Sequence, residues 1–121
     1  MTKRTGPTNP ILRKEIRKLY NSYKIHGAPI WKYVAEKLSV SKRQRVAVNL
    51  LKLNRLTSAN DSVVVPGRVL GFGYIEHPIT IAAFYFSKSA RDKIEKVGGK
   101  CITYEEMIKI NPKGSNIKLV I

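Results

Sequence analysis

The chain has 121 residues, 43% of them hydrophobic, and carries 23 Lys+Arg against 8 Asp+Glu for a formal net charge of +15. That length fits one domain, taken as 1–121, with enough apolar residues for a small core. No run reaches the roughly 18 apolar residues of a membrane span, and a single cysteine, Cys101, excludes an internal disulfide and points to a reducing cytoplasm.

The charge is uneven. Residues 1–60 hold 14 basic and 2 acidic side chains, residues 61–121 hold 9 and 6. Self-repulsion on this scale favours a polyanionic partner, nucleic acid first and a membrane surface second.

Residues 1–9, "MTKRTGPTN", read as an extended basic arm with Lys3 and Arg4, too polar to bury. No apolar stretch follows its charges, so no secretory signal is expected. Asn9-Pro10 then opens a helix, with Asn as cap and Pro at the first helical position. Leu12, Ile16, Leu19, Tyr20 and Tyr23 recur at helical spacing on one face. Arg13, Lys14, Arg17, Lys18 and Lys24 share the opposite face, interrupted only by Glu15, and Gly27 ends the helix. A solvated face usually mixes signs, so this stripe reads as facing phosphate. Pro29 starts a second, shorter helix that turns Trp31, Val34, Ala35 and Leu38 to the core. Trp31 reads as core rather than base-stacking because it shares that spacing.

Lys42, Arg43 and Arg45 follow as a dense cationic turn, the strongest candidate for phosphate contact. The alternation of Val46, Val48 and Leu50 predicts a strand after it. Lys52, Arg55 and Arg68 complete the candidate nucleic-acid-binding set. The centre, "VVVPGRVLGFG" and "ITIAAFYF", is β-rich, and Pro66-Gly67 fits a type II turn with Gly67 at positive φ. Gly71 and Gly73 suit a bulge or the close approach of another backbone. A helix from Ser87 through Val97 ends at Gly98-Gly99, and its Lys93 and Lys96 sit among Asp92 and Glu95, a weaker field for phosphate. "KCIT" is a short strand, Thr103 and Glu106 form a capping box for the next helix, "NPKG" is a turn and "NIKLVI" a final strand. The class is α/β or α+β.

Catalytic chemistry finds little support. One Cys and two separated His, His26 and His77, offer no metal spacing, so no metal or cofactor is expected. His26 reads as a helix C-terminal residue and His77 as a turn residue. No G-x-S-x-G elbow occurs. The pair Gly71 and Gly73 lacks the third glycine of a dinucleotide loop, and a strand-like segment follows instead of a helix. A DNA-packaging or chromatin protein would share the charge, but more often shows a dimerising surface or recognition helix.

The Asn-Pro-led helix, the Trp-x-x-Val-Ala helix, "RVAVNLLKLNRL", "VVVPGRVLGFG", "ITIAAFYFSKSARDKI", "GG" and "NPKGSNIKLVI" occur together and in that order. This set resembles the archaeal and eukaryotic large-subunit ribosomal protein family called "eighteen-e", in its shorter archaeal form, over essentially the whole chain. The family core is similar to the C-terminal half of the bacterial large-subunit protein "fifteen". The resemblance implies an α/β fold of irregular β-β-α superhelical turns preceded by two N-terminal helices and the basic arm. It implies no catalysis, no small-molecule substrate and no membrane. Its expected partners are large-subunit ribosomal RNA and neighbouring ribosomal proteins, in the cytoplasm.

Overall fold

The computed structural model describes residues 10–39 and 46–121. Within them, β-strands form one parallel sheet with helices packed on both of its faces, an α/β fold. Helix α1 (Pro10–His26) buries Leu12, Ile16 and Leu19, and Gly27 ends it at φ +69. Helix α2 (Pro29–Leu38) begins at a proline and buries Trp31, Val34, Ala35 and Leu38. Trp31 is fully buried and its Nε1 donates to the Pro112 carbonyl at 2.8 Å, so the ring belongs to the core and tethers the C-terminal segment.

Strand β1 (Val46–Asn49) is shorter than its alternation predicts, because Asn49 caps a helix. Its side chain accepts from the Lys52 N–H at 3.1 Å, and α3 (Leu50–Leu56) follows with Leu50 and Leu53 fully buried. Leu50 thus opens a helix instead of extending the strand. The i, i+3 leucine spacing behind an Asn is a helix start that the preceding alternation masks.

Strand β2 (Asp61–Leu70) is the central strand and pairs with β3 (Ile79–Phe86) along one edge. Its other edge is shared: β1 pairs with Val46 opposite Gly67 through Asn49 opposite Leu70, and β5 (Ile117–Leu119) with Ser62 through Val64. Strand β4 (Lys100–Ile102) closes the far side against β3. All four pairings are parallel. The connecting helices are α4 (Lys88–Lys96), capped by Ser87, and α5 (Tyr104–Ile110), launched by the expected Thr103–Glu106 capping box.

Alternation along β2 divides the core. Val63, Val65 and Val69 pack with Leu50 and Leu53 of α3 and Ala90 and Ile94 of α4. Val64 packs on the opposite face with α1, α2, Tyr104 and Met107. A run buried on both faces is the signature of a strand inside a parallel sheet.

Pro66-Gly67 is not a type II turn. Both residues lie inside β2, and Gly67 is absent from the positive-φ glycines, which are Gly27, Gly73, Gly98 and Gly114. The register shifts between Val65 and Arg68, so Pro66 and Gly67 together oppose Phe84 in a bulge. Gly67 is required for a different reason: a Cβ there would stand 2.1 Å from the Val46 carbonyl oxygen. Tyr104 reaches the bulge from α5, its hydroxyl donating to the Val65 carbonyl at 2.6 Å. A buried phenol thus meets a backbone carbonyl beside the bulge. Burial raises the Tyr104 pKa well above its ordinary value, and the hydroxyl stays protonated.

Candidate nucleic-acid interface

Helix α1 exposes its basic stripe because its apolar positions recur every three to four residues and leave the other side to solvent. Arg13, Lys14, Arg17, Lys18 and Lys24 are all exposed. Arg13 and Arg17 stand one turn apart, as do Lys14 and Lys18, and like charges at that spacing repel unless an anion lies between them. Lys18 is the member turned aside, with its Nζ 3.3 Å from Glu105 Oε1 on α5. That pair borders a cleft of about 340 Å³ between α1 and α5, which Glu15 and Lys109 also line. Its mixed charge makes it a poor phosphate site. Among the described residues, no carboxylate lies within ion-pair distance of Lys14, Arg17, Arg55 or Arg68.

Lys52 and Arg55 are exposed on α3, in the layer across the sheet from α1. Lys52 Nζ donates to the carbonyl of Ile121, so part of its capacity ties down the segment that follows β5. Arg68 is exposed on β2, opposite Ala47 of β1 and Tyr85 of β3. Among the described residues, therefore, the fold does not gather the candidate cations on one face; it distributes them over both helical layers and the open part of the sheet. Lys3, Arg4, Lys42, Arg43 and Arg45 lie outside the described residues.

The glycine pair has a structural task. Leu51 N–H donates to the Phe72 carbonyl at 3.2 Å, and Lys93 Nζ donates to the carbonyls of Gly71 and Gly73, each at 2.8 Å. A Cβ on Gly71 would sit 2.4 Å from Ser89 Oγ, so α4 packs directly on the loop. Lys93 is thus a clamp, a role that charge patterning alone does not reveal. His77 is likewise more than a turn residue. Thr57 gives its one hydroxyl proton to the Leu53 carbonyl at 2.6 Å, so the 2.8 Å contact with His77 Nε2 is a bond the ring donates. It pins the β2–β3 connection to the end of α3.

Exposed aromatics were not legible as candidates in the sequence. Phe72, Tyr74 and Tyr85 expose 69%, 64% and 51% of their surface. The available signal was "FYF": three successive aromatics cannot all face one core in a strand of period two. Among the described residues no cluster of three or more His, Cys, Asp or Glu could hold a metal, and no helix is long and apolar enough to cross a membrane.

The family described as ribosomal protein 60S L18 and 50S L18e matches residues 3–121. The chain belongs to that family. It is 46% identical over 121 residues to large ribosomal subunit protein eL18 of Methanopyrus kandleri, covering 96% of this chain and 95% of that one. The protein of the same name from Methanothermobacter thermautotrophicus is 43% identical, over 99% of both chains. That from Methanococcus maripaludis is 45% identical, over 98% of both. As a member of the L18e family the chain is a structural ribosomal protein and not an enzyme.

Proposed function

We propose that this L18e-family chain binds and stabilises folded ribosomal RNA of the large subunit through phosphate contacts, alongside neighbouring ribosomal proteins. The observation that carries the reading is the placement of exposed cations on both helical layers and on the open sheet, in a chain of net charge +15. A globule charged on several sides suits a site enclosed by RNA better than the single face that lies along a duplex. The contributing side chains are Arg13, Lys14 and Arg17 of α1, Lys52 and Arg55 of α3, and Arg68 of β2. Lys3, Arg4 and the Lys42, Arg43, Arg45 run join them. Lys18 contributes least, because Glu105 already holds it. The names of the relatives, each a large ribosomal subunit protein, favour this over DNA packaging.

Titration of RNA binding against salt tests the reading. Each phosphate contact lowers log K by about 0.9 per decade of salt on B-DNA, with a similar slope expected on duplex RNA. Affinity for short RNA duplexes should fall steeply with salt and ignore sequence, whereas a folded large-subunit RNA fragment should bind more tightly at every salt concentration. A binding curve unchanged between low and moderate salt would refute the phosphate reading.

A further inference from the structure

The carboxyl ends of the strands leave a surface uncovered. β4 stops at Ile102, opposite Ala82, whereas β3 continues to Phe86. The segment of β3 from Ala83 to Phe86 therefore borders an open cleft of about 370 Å³. Arg91 of α4 and Thr103 and Glu106 of α5 line it as well. Tyr85 stands at this cleft with 51% of its surface exposed. On its other side it pairs in register with Arg68, and Arg68 with Ala47. All three are exposed, which makes a short row of one small, one cationic and one aromatic side chain across three strands. Strand neighbours lie about 4.8 Å apart, so the guanidinium and the ring are within reach of one ligand.

The chemistry selects the occupant. An apolar protein surface would have to desolvate Arg68 and Arg91, and an acidic peptide would have no use for an exposed ring. An unpaired nucleotide offers both a flat π-system and an anionic phosphate. The one carboxylate on the cleft wall is already engaged: Glu106 Oε1 accepts from the Thr103 N–H at 2.9 Å and from its hydroxyl at 3.3 Å. Arg91 is held over the Phe86 ring at 5.3 Å and stands 4.0 Å from Glu95, so this side of the wall is fixed in place. We propose that an unpaired RNA nucleotide docks here, its base stacked on Tyr85 and its phosphate on Arg68. The inference rests on the RNA-binding reading above and deepens it, since the other cations cannot tell paired from unpaired strands and a stacking ring can.

The test compares single-stranded oligoadenylate with a fully paired RNA duplex, by fluorescence anisotropy over a range of salt, using the whole chain. Tyr85→Ala should weaken oligoadenylate binding by roughly tenfold, with its salt slope and the duplex affinity unchanged. Tyr85→Phe should restore wild-type binding, because it keeps the ring. Arg68→Ala should lower the oligoadenylate salt slope by about 0.7, one single-strand phosphate contact. Tyr85→Ala binding oligoadenylate like the wild type, or weakening both probes equally, would overturn the docking site while leaving the wider reading intact. Photo-cross-linking of Tyr85 to a ribosomal protein in assembled subunits would overturn it in favour of a protein neighbour. Wild-type protein that binds neither probe would remove the RNA reading itself, and the site with it.

Discussion

A Cβ on Gly67 would stand 2.1 Å from the Val46 carbonyl oxygen, so β1 reaches β2 only because that position has no side chain. The obstacle is backbone, which cannot rotate aside as a flexible side chain could. Gly67→Val is expected to lower stability by about 1–3 kcal/mol or more, through overpacking and not through backbone strain. Urea unfolding measures it, and an unchanged midpoint would mean that β1 does not lie where the register puts it. Tyr104 works at the same bulge. Tyr104→Phe keeps the ring but removes the hydroxyl that donates to the Val65 carbonyl in the interior. The expected loss is roughly 1–3 kcal/mol, the usual cost of an unsatisfied buried group. Thermal unfolding of the variant checks it.

Between elements, the contact of α1 with α5 carries a titrating carboxyl. Burial raises the pKa of Glu15 above its ordinary 4.5, opposed by Lys18 and reinforced by Glu105. The folded state therefore holds the proton more tightly than the unfolded chain does. Glu15 contributes stability below about pH 4.5, lost as pH rises through the folded value. Asp61 acts in the opposite sense: the Lys118 hydrogen bond lowers its pKa below 3.8, so its contribution is present above that pH and is lost on further acidification. Glu15→Gln should stabilise the fold at neutral pH by less than about 1 kcal/mol, as expected for a half-exposed group beside a lysine, and urea unfolding reads this as a higher midpoint. The gain should shrink as pH falls towards 4.5. A gain independent of pH would show that the carboxyl is not desolvated.

At the scale of the whole molecule, charge separates binding from folding. Replacing Lys42, Arg43 and Arg45 together with Ala is expected to lower the RNA salt slope by at most roughly three phosphate contacts. Stability should change by under about 0.5 kcal/mol per site, and relief of self-repulsion acts in favour of the variant. The matching comparison is Lys96, Lys100 and Lys109, exposed cations from the less basic half. Lys93 is unsuitable for it, because its ammonium clamps the Gly71 and Gly73 carbonyls and its loss would loosen the loop. A comparison triple that weakens RNA binding more than the first would place the RNA surface on the other half of the chain.

Periodicity and capping made much of this protein legible from its sequence. The faces of α1 and α2, the burial of Trp31, the Thr103–Glu106 box and the glycine ends at Gly27 and Gly98 are local, set by spacing and by a few backbone groups. The basic stripe of α1 was legible for the same reason, since a helix with one apolar side must expose the other. The α3 start was written locally too, in Asn49 and two leucines, but the strand pattern before it ran into the helix pattern without a break. Other features depended on residues distant in the chain. Pro66-Gly67 is a bulge and not a turn because β1 needs room at Gly67 and Tyr104 hydrogen-bonds the Val65 carbonyl beside it. Lys93 is a clamp and Lys18 half of an ion pair because a carbonyl or carboxylate comes to meet each of them. Tyr85 is exposed beside Arg68 because β4 ends three residues before it and, among the described residues, no helix covers that part of the sheet. A sequence states which groups are charged, apolar or free to turn; which of them are already satisfied, and so which remain for a partner, depends on what the fold brings within a hydrogen bond's reach.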